Sequence, residues 1–255
     1  MAKKLKTIAK PKSLQDVRAE GVANLKRRDR VRPKTEGQRE YLQALRSSTI
    51  TVCDGPAGCG KTFLACAVAV DLLQLGQIER IVLTRPAVEA GEKLGYLPGD
   101  LAEKINPYLR PLFDSLGDLL DPETAKMAFE AGIIEVAPLA YMRGRTFRNA
   151  YVVLDEAQNA TPDQVRMFLT RIGEGSRFVI CGDSKQSDLP KPKPNGLLDL
   201  CGRMKAHVSD ICNPLGHDLE TQDKISKVTL TRQDIVRHPI IQTIESWYEN
   251  DKTRT

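Results

Sequence analysis

The stretch 52-VCDGPAGCGKTFLA-65 places three glycines, a proline and a lysine between an apolar run and a helix-like run. Within it, Gly55 to Thr62 match the pattern G-x-x-x-x-G-K-[ST] in full. Glycines let the backbone curl so that several N–H groups point inward. Those amides and the positive end of the following helix cradle phosphate oxygens. The flanking strand-like and helix-like runs argue against a chance glycine turn, so the stretch predicts a phosphate-binding loop for ATP.

The same pattern predicts roles for individual residues of this loop. Lys61 is expected to reach the β- and γ-phosphates as a catalytic residue, and Thr62 is expected to bind Mg²⁺. The residues expected to contact the nucleotide here are Gly55, Pro56, Ala57, Gly58, Cys59, Gly60, Lys61, Thr62 and Phe63.

A second motif, 151-YVVLDEAQN-159, follows about ninety residues later. Its apolar residues predict a buried strand, and Asp155 follows at the carboxyl end, where ligands bind in α/β sheets. Asp155 is expected to hold Mg²⁺, and Glu156 is expected to act as the base that polarises the attacking water. An Asp-Glu pair after an apolar run is a weak signal alone. Together with the glycine loop it indicates an ATPase rather than a small-molecule kinase.

A third motif, 180-ICGDSKQSDL-189, again puts polar residues at the end of an apolar strand. Asp183 and Gln186 are expected to contact the γ-phosphate or the attacking water. The alternative is an Asp-Ser turn that closes the strand. The functional interpretation is favoured because this segment should lie beside Asp155 in such a sheet.

The composition of the chain indicates an ordinary globular α/β protein. Of 255 residues, 41% are apolar and 28% are charged. Short β-branched runs predict strands at 49–54, 80–84, 133–137, 150–155 and 177–183. Strands of this kind are buried on both faces of a mostly parallel sheet with helices on both sides. Helices are predicted at 35–46, with Thr35 and Gln38 forming a capping box, and after Thr161, with Gln164 closing a second box.

The charge distribution suggests a basic arm before a single domain. Residues 1–34 hold twelve Lys and Arg against three Asp and Glu, a charge of +9, whereas the whole chain carries +5. We expect residues 1–33 to form a mobile arm, either simply solvated or binding a polyanion. Residues 34–255 form the expected domain, with 202–227 as an insertion or loop. No secretory signal or membrane-spanning run is recognised, which predicts a cytoplasmic protein without a membrane partner.

Five segments of this sequence resemble the PhoH-like family of P-loop ATPases, and the resemblance extends across residues 35–241. In chain order they are GPAGCGKTFLA, TRPAVEAGEKLGYLPGD, YMRGRTFRNAYVVLDEAQN, GDSKQSDL and DIVRHP. The core of that family is similar to superfamily 1 helicases. The resemblance implies a single RecA-like core, hydrolysis of ATP with Mg²⁺, and action on RNA or single-stranded DNA. It also implies a ring-like homo-oligomer that serves as a helicase or remodeller.

The resemblance implies further residue roles. Gln38 resembles the glutamine that reads adenine, which is compatible with a role in capping. Gln186 resembles the sensor of the γ-phosphate. Arg237 resembles an arginine that completes the site across a subunit boundary in a ring. The alternatives are that Arg237 pairs with Asp234, or that Arg232 is the finger.

Two loops are candidates for contact with nucleic acid. Arg85 and Pro86 follow the second predicted strand, and Lys93 continues that loop. The second loop precedes the fourth predicted strand. Its residues expected to contact nucleic acid are Arg143 and Arg145, which alternate with the aromatic residues Tyr141 and Phe147. Cations beside aromatic rings suit phosphates and stacked bases. The alternative is a solvated turn before a strand.

Two other functions compete with a nucleic-acid-dependent ATPase. We expect one RecA-like lobe in this sequence, whereas helicases of this superfamily have two, so unwinding by a monomer is not expected. An ATP-gated adaptor that recruits a nuclease or other protein partner, with little turnover, is therefore the main alternative. A phosphotransferase acting on a small metabolite is disfavoured by the sequence DEAQ at 155–158.

Overall fold

Six strands form one sheet in this computed structural model, which describes residues 31–86, 101–190, 194–206 and 224–236, without the side chains of 101–107. The strands are β1 (Ile50–Asp54), β2 (Arg80–Arg85), β3 (Ile134–Pro138), β4 (Ala150–Leu154), β5 (Arg177–Gly182) and β6 (Ile225–Thr229). Their order is β3-β2-β4-β5-β1-β6, and each of these five pairings is parallel. All six carboxyl ends therefore lie at one edge of the sheet.

Helices cover both faces of this sheet. They are α1 (Glu36–Ser47), α2 (Lys61–Gln74), α3 (Leu101–Gly117), α4 (Pro122–Glu130), α5 (Pro162–Leu169) and α6 (Gly196–Ala206). Helices α1 to α4 contribute to one apolar core, and α5 and α6 contribute to the other. The expected fold class, an α/β domain with a mostly parallel sheet and helices on both faces, is confirmed.

The sequence of β4 explains why both faces must be covered. Tyr151 and Val153 enter the core beneath α1 to α4, whereas Val152 and Leu154 enter the opposite core. Successive side chains of a strand point to opposite faces, so a continuous apolar run requires packing on both sides. This packing fixes the end of β4, and with it the position of Asp155.

The five predicted strands are confirmed, each within one residue at either end. The helix after Thr161 begins with the expected capping box. At α1 only half of the box forms: Thr35 Oγ1 accepts from the Gln38 amide, but Gln38 Oε1 accepts from Lys34 rather than from Thr35. The insertion or loop expected at 202–227 does not include its described ends, because 202–206 complete α6 and 225–227 lie in β6.

Two glycines of α6 offer a matched test of this packing. A Cβ on Gly196 would lie 2.7 Å from the carbonyl oxygens of Ala160 and Thr161, whereas nothing lies within 4 Å of one on Gly202. We expect Gly196→Ala to lower the free energy of unfolding by about 1–3 kcal/mol through overpacking. Gly202→Ala should raise it by about 0.5–1 kcal/mol, because alanine favours the helix. Urea denaturation of both variants measures the difference; equal effects would contradict the described packing.

Candidate active site

The glycine loop turns sharply between β1 and α2 and ends on the lysine of its motif. Gly58 and Gly60 have φ angles of 84° and 78°, in the left-handed region that favours glycine. Lys61 is the first residue of α2, and its Nζ donates to the carbonyl oxygens of Gly55, at 2.6 Å, and Pro56, at 2.9 Å. The ammonium group thus lies over the loop whose amides are expected to surround the phosphates.

Thr62 and Asp155 meet at the carboxyl end of the sheet. Thr62 Oγ1 donates to Asp155 Oδ1 at 2.6 Å, and the Asp155 amide donates to the Thr84 carbonyl oxygen at 2.9 Å. The Cys181 thiol lies 3.5 Å from Asp155 Oδ1. Burial raises the pKa of this thiol, so it stays neutral beside the carboxylate. A hydroxyl and a carboxylate oxygen side by side fit Mg²⁺, which prefers oxygen ligands.

Glu156 has a backbone conformation that is rare for a residue with a side chain. Its φ and ψ angles are 52° and 42°, in the left-handed region, which is unfavourable for residues other than glycine. Its Oε1 is 2.9 Å from an Arg85 guanidinium nitrogen, and its Oε2 accepts from Gln158 Nε2. Strained residues of this kind cluster at functional sites, which fits the expected role of Glu156.

Gln158 and Asn159 connect the loop after β4 to the loop after β5. Gln158 Oε1 accepts from the Asp183 amide at 3.0 Å, and Asn159 Oδ1 accepts from the Asp188 amide at 2.8 Å. Both side chains are buried. Neither residue has a role predicted from sequence, although both lie within three residues of Glu156 in the DEAQN motif. Their contacts place Asp183 beside the Asp155–Glu156 pair, as expected.

A pocket of ≈ 420 Å³ opens where β1, β5 and β6 end. Its lining includes Gly55 and Pro56 of the glycine loop, Asp183 and Gln186 after β5, and Arg232 after β6. The structure therefore brings Gln186 and Asp183 to the start of the loop. It also places Arg232, the alternative finger, beside the glycine loop of its own chain.

Gln38 lies beneath the glycine loop. Its Nε2 donates to the Cys59 carbonyl oxygen at 3.1 Å, and the side chain is buried. Gln38 therefore supports the loop directly, while its expected contact with adenine remains a prediction.

Asp234 joins two segments beside the glycine loop, the start of α1 and the turn after β6, and we call this set of contacts the Asp234 link. Its Oδ1 accepts from Thr35 Oγ1 at 2.6 Å, and its Oδ2 accepts from the Thr231 amide at 2.8 Å. Burial alone would raise its pKa, but hydrogen bonds from Thr35, Thr231 and the Gly37 amide outweigh burial and lower the pKa of Asp234. The Asp234 carboxylate is thus ionised and joins α1 to the segment after β6.

Arg237 and Lys93 lie outside the described residues, and so do residues 1–30 of the expected basic arm. The described chain reaches the glycine loop immediately before Arg237, since the Val236 amide donates to the Gly58 carbonyl oxygen at 3.1 Å. The role of Arg237 across a subunit boundary remains a prediction.

The residues expected to contact nucleic acid have different environments. Arg143 is exposed, and Tyr141 is 56% exposed. Arg145 is not a free cation, because its guanidinium pairs with both oxygens of Glu135, at 2.5 and 2.7 Å, and packs over the Phe147 ring. The expectation that Phe147 stacks on a base is wrong, since this ring is fully buried in the core.

Arg85 and Pro86 are also less accessible than expected. Pro86 is buried, and Arg85 contacts Glu156 and the Tyr108 carbonyl oxygen. The sequence placed Arg85 correctly at the carboxyl end of β2, but it did not indicate that this arginine reaches the candidate base.

Comparisons with known proteins agree on one family. The family model described as PhoH-like protein matches residues 30–249. The chain is 50% identical over 219 residues to a PhoH-like protein of Bacillus subtilis (strain 168), covering 86% of this chain and 64% of that protein. It is 41% identical over 211 residues to protein PhoH of Escherichia coli (strain K12), covering 82% of this chain and 55% of that protein. The chain therefore spans less than two thirds of the length of these relatives.

Solved structures are more distant. The helicase domain of Hef from Pyrococcus furiosus aligns with a TM-score of 0.42 and 14% identity, over 78% of this chain and 38% of that one.

Among the described residues, no helix is long and apolar enough to cross a membrane.

Proposed function

Because this chain belongs to the PhoH-like family, we propose that it binds and hydrolyses ATP with Mg²⁺ and acts on RNA or single-stranded DNA as an oligomeric helicase or remodeller. The observation that carries the ATPase proposal is the 2.6 Å hydrogen bond between Thr62 and Asp155, with Lys61 and Glu156 next to them in sequence. It joins the glycine loop to the end of β4, where the expected base follows the expected metal ligand.

Each side chain has a defined task in this proposal. The loop amides and Lys61 bind the phosphates, and Thr62 and Asp155 hold the metal ion. When bound, Mg²⁺ offsets the negative charge of the β- and γ-phosphates. Glu156 accepts a proton from the attacking water, and Gln186 contacts the γ-phosphate or that water. Gln38 supports the loop through its hydrogen bond to Cys59, and the Asp234 link holds together the start of α1 and the turn after β6.

The proposal that nucleic acid is the partner is supported by charge and exposure. Arg143 and Tyr141 offer an exposed cation and an exposed ring on one short segment. The sequence adds the basic segment 1–34. A ring in which Arg237 reaches a neighbouring subunit belongs to the same proposal, and the mass of the protein in solution, measured by light scattering with and without ATP, tests it.

One observation favours the ATP-gated adaptor as a second candidate. Both carboxylate oxygens of Glu156 are engaged, by Arg85 and by Gln158. A base held in this way favours slow turnover, which is what the adaptor requires; its partner would then be a nuclease or another protein.

The steady-state rate of ATP hydrolysis distinguishes the two candidates. We expect single-stranded RNA or single-stranded DNA to raise the rate at least several-fold, with the more effective polymer identifying the substrate. The stimulation should fall steeply between low and moderate salt, because phosphate contacts release counterions. A Glu156→Gln preparation serves as the blank. A rate that neither polymer changes at either salt concentration would reject the nucleic-acid-dependent ATPase in favour of the adaptor.

A further inference from the structure

Arg85 makes an ion pair with the candidate base of the ATPase site. One guanidinium nitrogen lies 2.9 Å from Glu156 Oε1, and the other donates to the Tyr108 carbonyl oxygen of α3 at 3.3 Å. The side chains of Arg85 and Glu156 are 21% and 34% exposed. The pair therefore lies at the surface of the site, where solvent and a ligand can reach it.

The position of this pair follows from the sheet. Strands β2 and β4 are neighbours, with Thr84 opposite Leu154 in register, and the Asp155 amide donates to the Thr84 carbonyl oxygen. Arg85 and Glu156 each follow these paired positions, Arg85 as the last residue of β2 and Glu156 two residues after the end of β4. The left-handed conformation of Glu156 forms the turn that leads into the 3₁₀ helix Ala157–Asn159.

Both oxygens of the Glu156 carboxylate are occupied in this arrangement. Arg85 contacts Oε1, and Gln158 donates to Oε2 while accepting from the Asp183 amide. A general base must be within hydrogen-bond reach of the water whose proton it takes. Arg85 and Gln158 each take one acceptor site of the carboxylate and together fix its orientation, so Glu156 cannot turn toward a water molecule elsewhere in the site without breaking these contacts.

We propose that Arg85 is a positioning residue that holds Glu156 in an inactive arrangement, and that a phosphate of bound single-stranded nucleic acid competes for Arg85 and releases Glu156. The inference rests on the proposed function and extends it to regulation of the same site. An arginine fork binds carboxylate and phosphate with the same geometry, so one anion can replace the other. A partly exposed ion pair stabilises a protein little, so a competing phosphate can displace it.

The test compares polymer-free and polymer-stimulated turnover in wild type and in Arg85→Ala. We expect Arg85→Ala to raise polymer-free turnover about 3- to 10-fold and to reduce the stimulation by single-stranded RNA or DNA to less than twofold. Arg85→Lys retains a cation that can pair with Glu156, and it should restore low polymer-free turnover. Arg203→Ala, which removes an exposed arginine from its pair with Asp199 in α6, is the matched control and should behave as wild type.

A double variant shows whether the effect passes through Glu156. Arg85→Ala combined with Glu156→Gln should be as slow as Glu156→Gln alone, which shows that the extra turnover of Arg85→Ala depends on Glu156, whereas the return to low turnover in Arg85→Lys is the result that a merely structural role of Arg85 would not give. Arg85→Gln is the second variant if Arg85→Ala does not fold, with the same expected increase. Polymer-free turnover that is unchanged or lower in the folded variant overturns the inference.

The two measurements, polymer-free and polymer-stimulated turnover, distinguish failure of this inference from failure of the proposed function. If neither polymer stimulates the wild type, the proposed function fails and so does the competition by phosphate. Polymer-free turnover still decides, independently of that result, whether Arg85 restrains Glu156. If the wild type is stimulated and Arg85→Ala is stimulated equally, the proposed function stands and the role of Arg85 is refuted.

Discussion

Glu156→Gln is expected to reduce ATP turnover by about 100-fold or more, with little change in the affinity for ATP. The amide cannot accept the proton of the attacking water, and general-base catalysis contributes about 10²–10⁴-fold. Lys61, Thr62 and Asp155, which are expected to bind the phosphates and the metal ion, are unchanged by this substitution. The glutamine also keeps an oxygen that can accept from Arg85. Steady-state hydrolysis and a titration with a non-hydrolysable ATP analogue measure the two quantities.

The matched control for this variant removes a carboxylate of the same size elsewhere. Glu130→Gln lies on α4, where Glu130 makes an exposed contact with Lys126 at 3.9 Å. Its turnover should equal that of the wild type. If Glu156→Gln retained more than a third of wild-type turnover, Glu156 would not be the base, and a different group at the end of β4 or β5 would have to take this role.

Lys61→Ala is expected to weaken ATP binding by about 100-fold. The variant loses the ammonium group that lies over the glycine loop, and a hydrogen bond to a charged group contributes about 1.5–3 kcal/mol. Two factors of ten correspond to about 2.8 kcal/mol in binding free energy. Binding of an ATP analogue can be followed by calorimetry. Thermal unfolding gives a second measure, because ATP with Mg²⁺ should raise the Tm of the wild type and have almost no effect on the variant.

Lys126→Ala is the control for this second prediction, because it removes an exposed lysine of α4. It should bind ATP as the wild type does. Lys61→Ala should also keep its fold without nucleotide, since the contacts it loses are two hydrogen bonds to loop carbonyl oxygens. An unchanged affinity in a folded Lys61→Ala protein would refute the assignment of the glycine loop as the phosphate site.

The parts of the fold that the sequence predicts are those fixed by local pattern. Runs such as 150–155 are apolar on both faces and specify buried parallel strands, and the glycine loop specifies its own turn. Strand β6 was missed because its sequence, ISKVT, gives no continuous apolar run: Val228 alone of its residues is buried, and the others are exposed or half-buried. It is held by pairing with β1, a long-range interaction that no local pattern reveals.

In the candidate site, too, local sequence patterns predict some features, and long-range contacts determine the others. Sequence motifs identify Lys61, Asp155 and the residues next to them in the chain as parts of the site. The partner of each charged side chain cannot be predicted in this way, because it depends on which loops the sheet brings together. Arg85 and Arg145 both looked like free cations in sequence, yet each meets a carboxylate on another segment. Periodicity and spacing identify an arginine but do not show which anion it contacts.

The Asp234 link has a consequence for how the protein is made. It joins Asp234 to Thr35, 199 residues earlier, and two residues after Asp234 the Val236 amide donates to the carbonyl oxygen of Gly58. A chain synthesised from its N-terminus exposes the glycine loop about 170 residues before these supports exist. At about 5–20 residues per second, that interval lasts on the order of ten seconds or more. Contacts between such distant residues also form slowly. We therefore expect a nascent chain to acquire its ATP site late, after β6 has emerged from the ribosome and paired with β1.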